Sequence, residues 1–258
     1  MNYALITGAS KGIGKSIAEE LASRGCHLLL VARSEALLKE GCAALTSKYK
    51  IEARWLAMDL SKPGTAAAIF DYCKTHQLTI DILVNNAGYG LSGPFEKYSE
   101  EEHLEMMALN MNTPVALCRR FLPMLKAQPK AYILNIASMA AYQAVPGLTA
   151  YAASKAFVLS FSRGLKLELR NTTVSVSCIS PGATDTNFVN HAQVGAKGRK
   201  LADKVNMTPE FVAKAAVTGM FAGKTEMIPG LINKVGMVIT WLLPKTILEK
   251  GAMRIYEP

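Results

Sequence analysis

Paired cysteines are missing from this 258-residue chain: its five, Cys26, Cys42, Cys73, Cys118 and Cys178, are odd in number, scattered and without the spacing of a metal site. No metal is expected, and a reduced interior is. No low-complexity tract interrupts the chain, so disorder is expected only in loops. Nor is there a run of about 20 apolar residues of the kind that crosses a bilayer; Val235 to Leu243 falls well short. The start, MNYALITGAS, has no basic stretch followed by an apolar one and a cleavage site, which predicts no signal peptide and a cytoplasmic location. Acids are scarce, 20 Asp and Glu against 29 Lys and Arg, for a net charge of +9. A positive field draws polyanions, but the bases form no stripe interleaved with aromatics, so nucleic acid is not an expected partner. Part of the excess can serve an anionic cofactor, while the cluster Lys197, Arg199, Lys200 and Lys204 reads as a solvated face.

Hydrophobic residues make up 50% of the chain and charged residues 19%, enough for one large core. The expectation is a single doubly wound α/β domain over residues 1–258. Asn2 to Ile6 is a short apolar strand that runs into Thr7-Gly8-Ala9-Ser10-Lys11-Gly12-Ile13-Gly14 and then a helix to about Arg24. Glycines let the backbone turn tightly and approach a pyrophosphate, and the helix N-terminus presents unpaired N–H groups. Gly8, Ser10, Lys11, Gly12, Ile13 and Gly14 are therefore candidate dinucleotide contacts, although Gly-x-x-x-Gly-x-Gly departs from the generic fingerprint and a purely structural turn is the alternative.

The strand His27 to Ala32 ends in Arg33-Ser34, where sheets that prefer NAD place an acid on the ribose hydroxyls. No acid stands there. Arg33, with Lys11, can instead pair with a 2′-phosphate, which favours NADP(H); a surface arginine opening the next helix is the other reading. That helix spans Ser34 to about Lys48, a third strand Glu52 to Ala57, and the next helix Thr65 to about His76. Asp59, beside Leu60, is placed equally to accept from an adenine amino group or to cap the helix around Ser61 and Pro63. After the apolar strand Ile80 to Val84, Asn85-Asn86-Ala87-Gly88 can brace neighbouring strands and line the ribose, or simply turn. Glu100 to Lys126 reads as one long helix, interrupted or bent near Asn110-Met111-Asn112-Thr113-Pro114. Asn110 in its middle can free a carbonyl to hold water, or be a surface residue.

The chemistry concentrates in Ser138 to Lys155. Tyr151 and Lys155, four residues apart on a helical pattern, should share one face, where an ammonium favours the phenolate. Ser138 follows the buried run AYILNIA, at the strand end that faces a ligand crevice. Met139, Tyr142 and Val145 are candidates for an apolar pocket. After the strand Thr173 to Ile179, the segment Ser180 to Thr186 turns near the nicotinamide end, with Pro181, Gly182, Thr184 and Thr186 as candidate contacts. Residues 187–205 fit a mobile lid. A helix from Pro209 to Ala222 and a short strand, Glu226 to Ile228, precede 230–258, an apolar extension expected to cover the cleft or a subunit interface; lying on a membrane surface is its minority reading.

Together these residues resemble a short-chain dehydrogenase/reductase: Thr7-Gly8-x-x-x-Gly12-x-Gly14, Asn85-Asn86-Ala87-Gly88, Asn110, Ser138, Tyr151-x-x-x-Lys155 and Pro181-Gly182 occur in the family's order. The resemblance implies a Rossmann-like sheet of seven mainly parallel strands with helices on both faces. It also implies a proton relay through Asn110, Ser138, Tyr151 and Lys155, with Tyr151 and Lys155 against the cofactor. Hydride would move between NADP(H) and a small carbonyl or secondary alcohol substrate. The Val-Asp-Gly-Gly tail of members that reduce acyl-carrier-protein thioesters is absent, which turns the expectation toward another apolar, lipid-like substrate. A homo-oligomer, dimer or tetramer, is expected. The competing function is an NADP-binding sensor or scaffold with little turnover.

Overall fold

The computed structural model describes residues 2–184 and 206–256. Thr186 and the lid expected over 187–205 lie outside them. Seven strands, β1 (Asn2–Thr7), β2 (His27–Ala32), β3 (Ala53–Ala57), β4 (Thr79–Asn85), β5 (Ala131–Ile136), β6 (Val174–Ile179) and β7 (Glu226–Met227), form one sheet in the order β3-β2-β1-β4-β5-β6-β7. Every adjacent pair is parallel, with Leu5 of β1 beside Leu29 of β2 and Leu83 of β4. The order reverses between β1 and β4, which opens a crevice at their carboxyl ends.

Helices α1 (Gly12–Ser23), α2 (Glu35–Tyr49) and α7 (Pro209–Phe221) cover one face; α3 (Thr65–Thr75) and α5 (Thr113–Lys126) cover the other. Side chains alternate across a strand, so Ala4 and Ile6 join Ile17, Leu21 and Val212 on the first face, while Tyr3 and Leu5 join Ile69, Leu117 and Phe121 on the second. Burial on both sides explains why the strands read as near-continuous apolar runs. All five cysteines are free thiols, four of them buried.

The helix expected from Glu100 to Lys126 is three pieces. Ser99 starts α4 (Glu100–Met107) with a capping box, its hydroxyl accepting from the Glu102 N–H (3.3 Å) while the Glu102 carboxylate accepts from the Ser99 N–H (2.8 Å). A π turn, Ala108–Asn112, follows before α5. The physical reason is Pro114: in a continuous α-helix it would donate to the Asn110 carbonyl, and it has no N–H. The wider turn holds Asn110 buried and inward-facing.

Helix α6 (Thr149–Glu168) carries the Tyr-Lys pair, and α8 (Leu231–Leu242) and α9 (Lys245–Tyr256) close the described chain. The last strand stops at Met227, one residue before the expected end. No helix among the described residues is long and apolar enough to cross a membrane.

Candidate active site

The Gly-rich turn is tied down at the carboxyl ends of three strands. Gly8 and Ala9 donate to the Val31 carbonyl (2.8 and 3.4 Å), which fixes the turn to β2. On the other side the Thr7 hydroxyl donates to the Val84 carbonyl (3.1 Å) and accepts from the Asn86 and Ala87 N–H groups (3.0 and 3.1 Å). The Asn86 carboxamide donates back to the Thr7 and Gly8 carbonyls at 2.9 and 3.1 Å. Asn86 thus braces the turn with its side chain. Gly8 and Gly12 sit at φ of +65° and +53°, where only glycine is relaxed, and a Cβ on Gly14 would collide with the Gly8 carbonyl and the Asn86 carboxamide.

This cradle fits a dinucleotide. Lys11 precedes α1 in extended conformation and places no side-chain cap on it, and no acid occupies the helix's first turn, so a pyrophosphate would meet both the helix N–H groups and the positive end of its dipole. Ser10 and Ile13 flank the turn half-buried, Ile13 packing on the core. Arg33 is exposed just past β2, with Ser34 beginning α2. Asp59 uses Oδ1 to accept from the Ser61 N–H (3.1 Å) and hydroxyl (2.8 Å), and α3 starts only at Thr65, so the carboxylate holds a turn ahead of the helix rather than capping it. Burial works to raise its pKa, but the Ser61 bonds and the charges of Arg33 and Lys62 bring it below the ordinary value. Arg33 therefore acts electrostatically on this end of the crevice. Leu60 is buried, its carbonyl accepting from the Thr113 hydroxyl at 2.7 Å.

At the other end, Asn110 and Lys155 meet over Gly88. A Cβ there would come within 2.8 Å of Asn110 Oδ1 and 3.4 Å of Lys155 Nζ, so glycine lets the two side chains approach. Asn110 is fixed on three sides: Oδ1 accepts from the Tyr89 N–H (3.2 Å), and Nδ2 donates to the Tyr89 carbonyl and to Ser154 Oγ (3.0 Å each). Lys155 donates to the Ile136 carbonyl at the end of β5 (2.9 Å) and lies 5.8 Å from the centre of the Tyr151 ring. Burial brings the Lys155 pKa down to about 8, which leaves it mostly an ammonium at neutral pH.

Tyr151 is buried with Met106, Val145, Leu148, Ala152 and Ala252. Ser138 follows β5 in extended conformation, its Oγ accepting from the Ala140 N–H (3.1 Å) at the start of a short 3-10 turn, Met139–Tyr142. Pro181 accepts from the Met139 N–H (2.9 Å), which joins that turn to the loop after β6. In this loop the Thr184 hydroxyl donates to the Gly182 carbonyl (3.1 Å), and Asn233 of α8 lies so close over Gly182 that a Cβ there would be 2.7 Å from its Nδ2. Of the pocket candidates, Val145 joins the tyrosine. Tyr142 does not: its hydroxyl donates to Glu226, and burial, then that bond, raise its pKa.

The sequence profile of the family described as short chain dehydrogenase matches residues 2–197. The chain belongs to this family. An uncharacterized oxidoreductase of Staphylococcus saprophyticus is 34% identical over 214 residues, covering 83% of this chain and 88% of that protein. Very-long-chain 3-oxoacyl-CoA reductase-B of Danio rerio is 33% identical over 257 residues, 97% of this chain and 79% of the relative. The solved structure of a short-chain dehydrogenase from Sphingobium yanoikuyae in complex with NADPH is 30% identical, with a TM-score of 0.81 over 94% of each chain.

Several supports of this short-chain dehydrogenase site escape a linear reading. Thr7 stands inside the glycine motif, yet only the fold shows it as the knot between β1 and β4. Asn135 did carry a signal, an amide inside the apolar run AYILNI: it accepts from Asn85 (2.8 Å) and donates to Ser162 (2.8 Å), bracing β4, β5 and α6 beneath the site. Tyr89, Ser154, Asn233 and Ala252 carried none.

Proposed function

We propose that this chain is an NADP(H)-dependent oxidoreductase that interconverts a carbonyl and a secondary alcohol on an apolar, lipid-like substrate. The observation that carries the reading is the meeting of Asn110 and Lys155 over Gly88, with Tyr151 one helical turn from the lysine. The cofactor, when bound, supplies or takes the hydride at the substrate carbon. Tyr151 gives the proton to the oxygen in reduction and takes it in oxidation, so that C=O plus hydride plus proton becomes CH–OH. The Lys155 ammonium favours the phenolate that remains. Ser138, whose oxygen is already held by the Ala140 N–H, keeps its own hydrogen to donate to the substrate oxygen. Asn110 holds the backbone at Tyr89 and organises the route by which Tyr151 regains its proton.

The preference for NADP(H) is supported by an exposed Arg33 where an acid would serve NAD, with Lys11 in the adjoining turn, and by the NADPH-bound relative. The apolar substrate is supported by the cluster around Tyr151, to which α9 contributes Ala252, and by the acyl-CoA reductase matching nearly the whole chain. On this reading the C-terminal extension forms part of the cleft wall.

The test is NADPH consumption over ketones, aldehydes, quinones, steroids and 3-oxoacyl thioesters, with the corresponding alcohols in reverse, for the intact chain and Tyr151→Phe. Turnover that falls by a factor of about 100 or more in the variant, with NADPH binding retained, is the expected result. An intact chain that binds NADPH and turns over none of these compounds would sink the proposal.

A further inference from the structure

Helix α8 is turned inside out. Its half-buried residues are Asn233, Gly236, Met237 and Thr240, and on a 3.6-residue repeat these share the side facing the protein. Asn233 donates to the Pro229 carbonyl (2.8 Å) and sits over Gly182, so the side carrying Asn233, Gly236, Met237 and Thr240, with no large aliphatic side chain, is the one against the fold. Leu231, Val235, Val238, Ile239 and Leu242 fall on the opposite side and face solvent. Eight large apolar residues between Leu231 and Leu243 are 40–76% exposed. They present on the order of 900 Å², against the about 300–600 Å² of a typical monomer's largest apolar patch.

That area alone would serve a second copy, which needs about 800 Å² from each partner. Charge decides between the two. Over residues 230–253 the ionisable side chains are Lys234, Lys245, Lys250 and Glu249, and the three lysines are exposed while Glu249 is half-buried. With Lys234 on α8 and Lys245 and Lys250 on the adjoining α9 against one Glu249, a two-fold pairing here brings positive charge toward positive charge. An anionic lipid surface answers them, and Trp241, 73% exposed at the patch's edge, is of the type that settles at the headgroup level.

We propose that the outward face of α8, extended by Leu243, is a docking surface for an anionic lipid bilayer, on which the helix lies at the headgroup boundary without crossing it. Docking brings the cleft wall formed by α9 close to the lipid. That consequence rests on the oxidoreductase reading; the docking does not, and its test reads no activity, so the two fail separately.

The full chain is sedimented with phosphatidylcholine–phosphatidylglycerol vesicles and with pure phosphatidylcholine vesicles. The expected result is binding to the first that exceeds binding to the second. Val235→Asp with Ile239→Asp lowers vesicle affinity at least tenfold, and Lys245→Glu with Lys250→Glu lowers it roughly tenfold or more on the anionic vesicles only. Melting curves and NADPH binding verify that each variant is folded; if the aspartate pair does not fold, the charge reversal decides. A chain that stays in the supernatant with both vesicles overturns the proposal. So does an aspartate pair that halves the solution mass in ultracentrifugation while vesicle binding is unchanged, which would assign the face to a second copy.

Discussion

Replacing Lys155 by methionine separates what the residue does for chemistry from what it does to the fold. Burial lowers its pKa from 10.5 to about 8, a free-energy penalty on the charged form of about 3 kcal/mol at 1.36 kcal/mol per pKa unit. Below pH 8 the lysine is protonated both folded and unfolded, and the whole penalty weighs on the native state. Between pH 8 and 10.5 the unfolded chain binds more protons than the folded one, so stability rises with pH and the penalty disappears. Lys155→Met carries no such penalty, and titrating groups away from Lys155 cancel in the comparison, while the coupling to buried Cys178 is weaker than the burial of the lysine itself. The stability of the variant relative to the parent should therefore be about 3 kcal/mol more favourable at pH 7 than at pH 10.5, whatever the loss of the bond to the Ile136 carbonyl contributes at all pH values. Urea unfolding followed by circular dichroism across that range, without cofactor, measures it. Turnover should meanwhile fall steeply, because Tyr151 loses its cationic neighbour. Stability curves for the two proteins that run parallel from pH 7 to 10.5 would refute the reasoning.

Arg33→Ala should raise the dissociation constant for NADPH at least tenfold and leave that for NADH nearly unchanged, since a guanidinium–phosphate pair is lost in one case only; titration by nicotinamide fluorescence checks it. Gly164→Ala, in open space on α6, should stabilise the protein by about 0.5–1 kcal/mol through helix propensity. Gly14→Ala, with the same propensity gain in α1, should instead destabilise by about 1–3 kcal/mol and abolish NADPH binding, because its Cβ strikes the Gly8 carbonyl and Asn86; thermal melts with and without NADPH compare the pair. Asn135→Ala should destabilise by about 1–3 kcal/mol, read in urea, because it strips buried partners from Asn85 and Ser162.

Local grammar made the sheet readable. The apolar run after Gly25 that stops at Arg33 predicts β2 at its observed ends, and Pro114 predicts an interruption or bend in the long helix, which the structure shows to be a π turn. The glycine-rich turn was legible for a related reason: its residues lie in a short contiguous motif at a strand end. Long-range pairings were not. Tyr142 follows Ser138 like a pocket residue, yet its hydroxyl finds Glu226, 84 positions away, because β7 is placed beside β6 by the sheet order. Nor can the apolar periodicity of α8 say which side faces in. The usual rule puts the apolar side toward the core, and here Asn233 and Gly182 fit together and reverse it.

The two ends of the crevice are held by different physics, and this explains why the cofactor was easier to read than the substrate. Around Gly8 the backbone is fastened by hydrogen bonds that the Val31 carbonyl and Thr7 accept and the Asn86 carboxamide donates, so only a few residue types satisfy the geometry. Around Tyr151 the wall is made of contacts among Met106, Val145, Leu148 and Ala252, which are non-directional and met by many sequences of similar volume. The hydrogen-bonded end therefore leaves a strict motif, while the apolar end leaves only composition. The cluster is built from helices as distant in sequence as α4 and α9, so under the proposed function changes at Met106 or Ala252 should redirect substrate choice while leaving NADPH affinity where it was. Parallel losses of NADPH affinity in Met106→Ala and Ala252→Leu would show instead that the two ends are mechanically one.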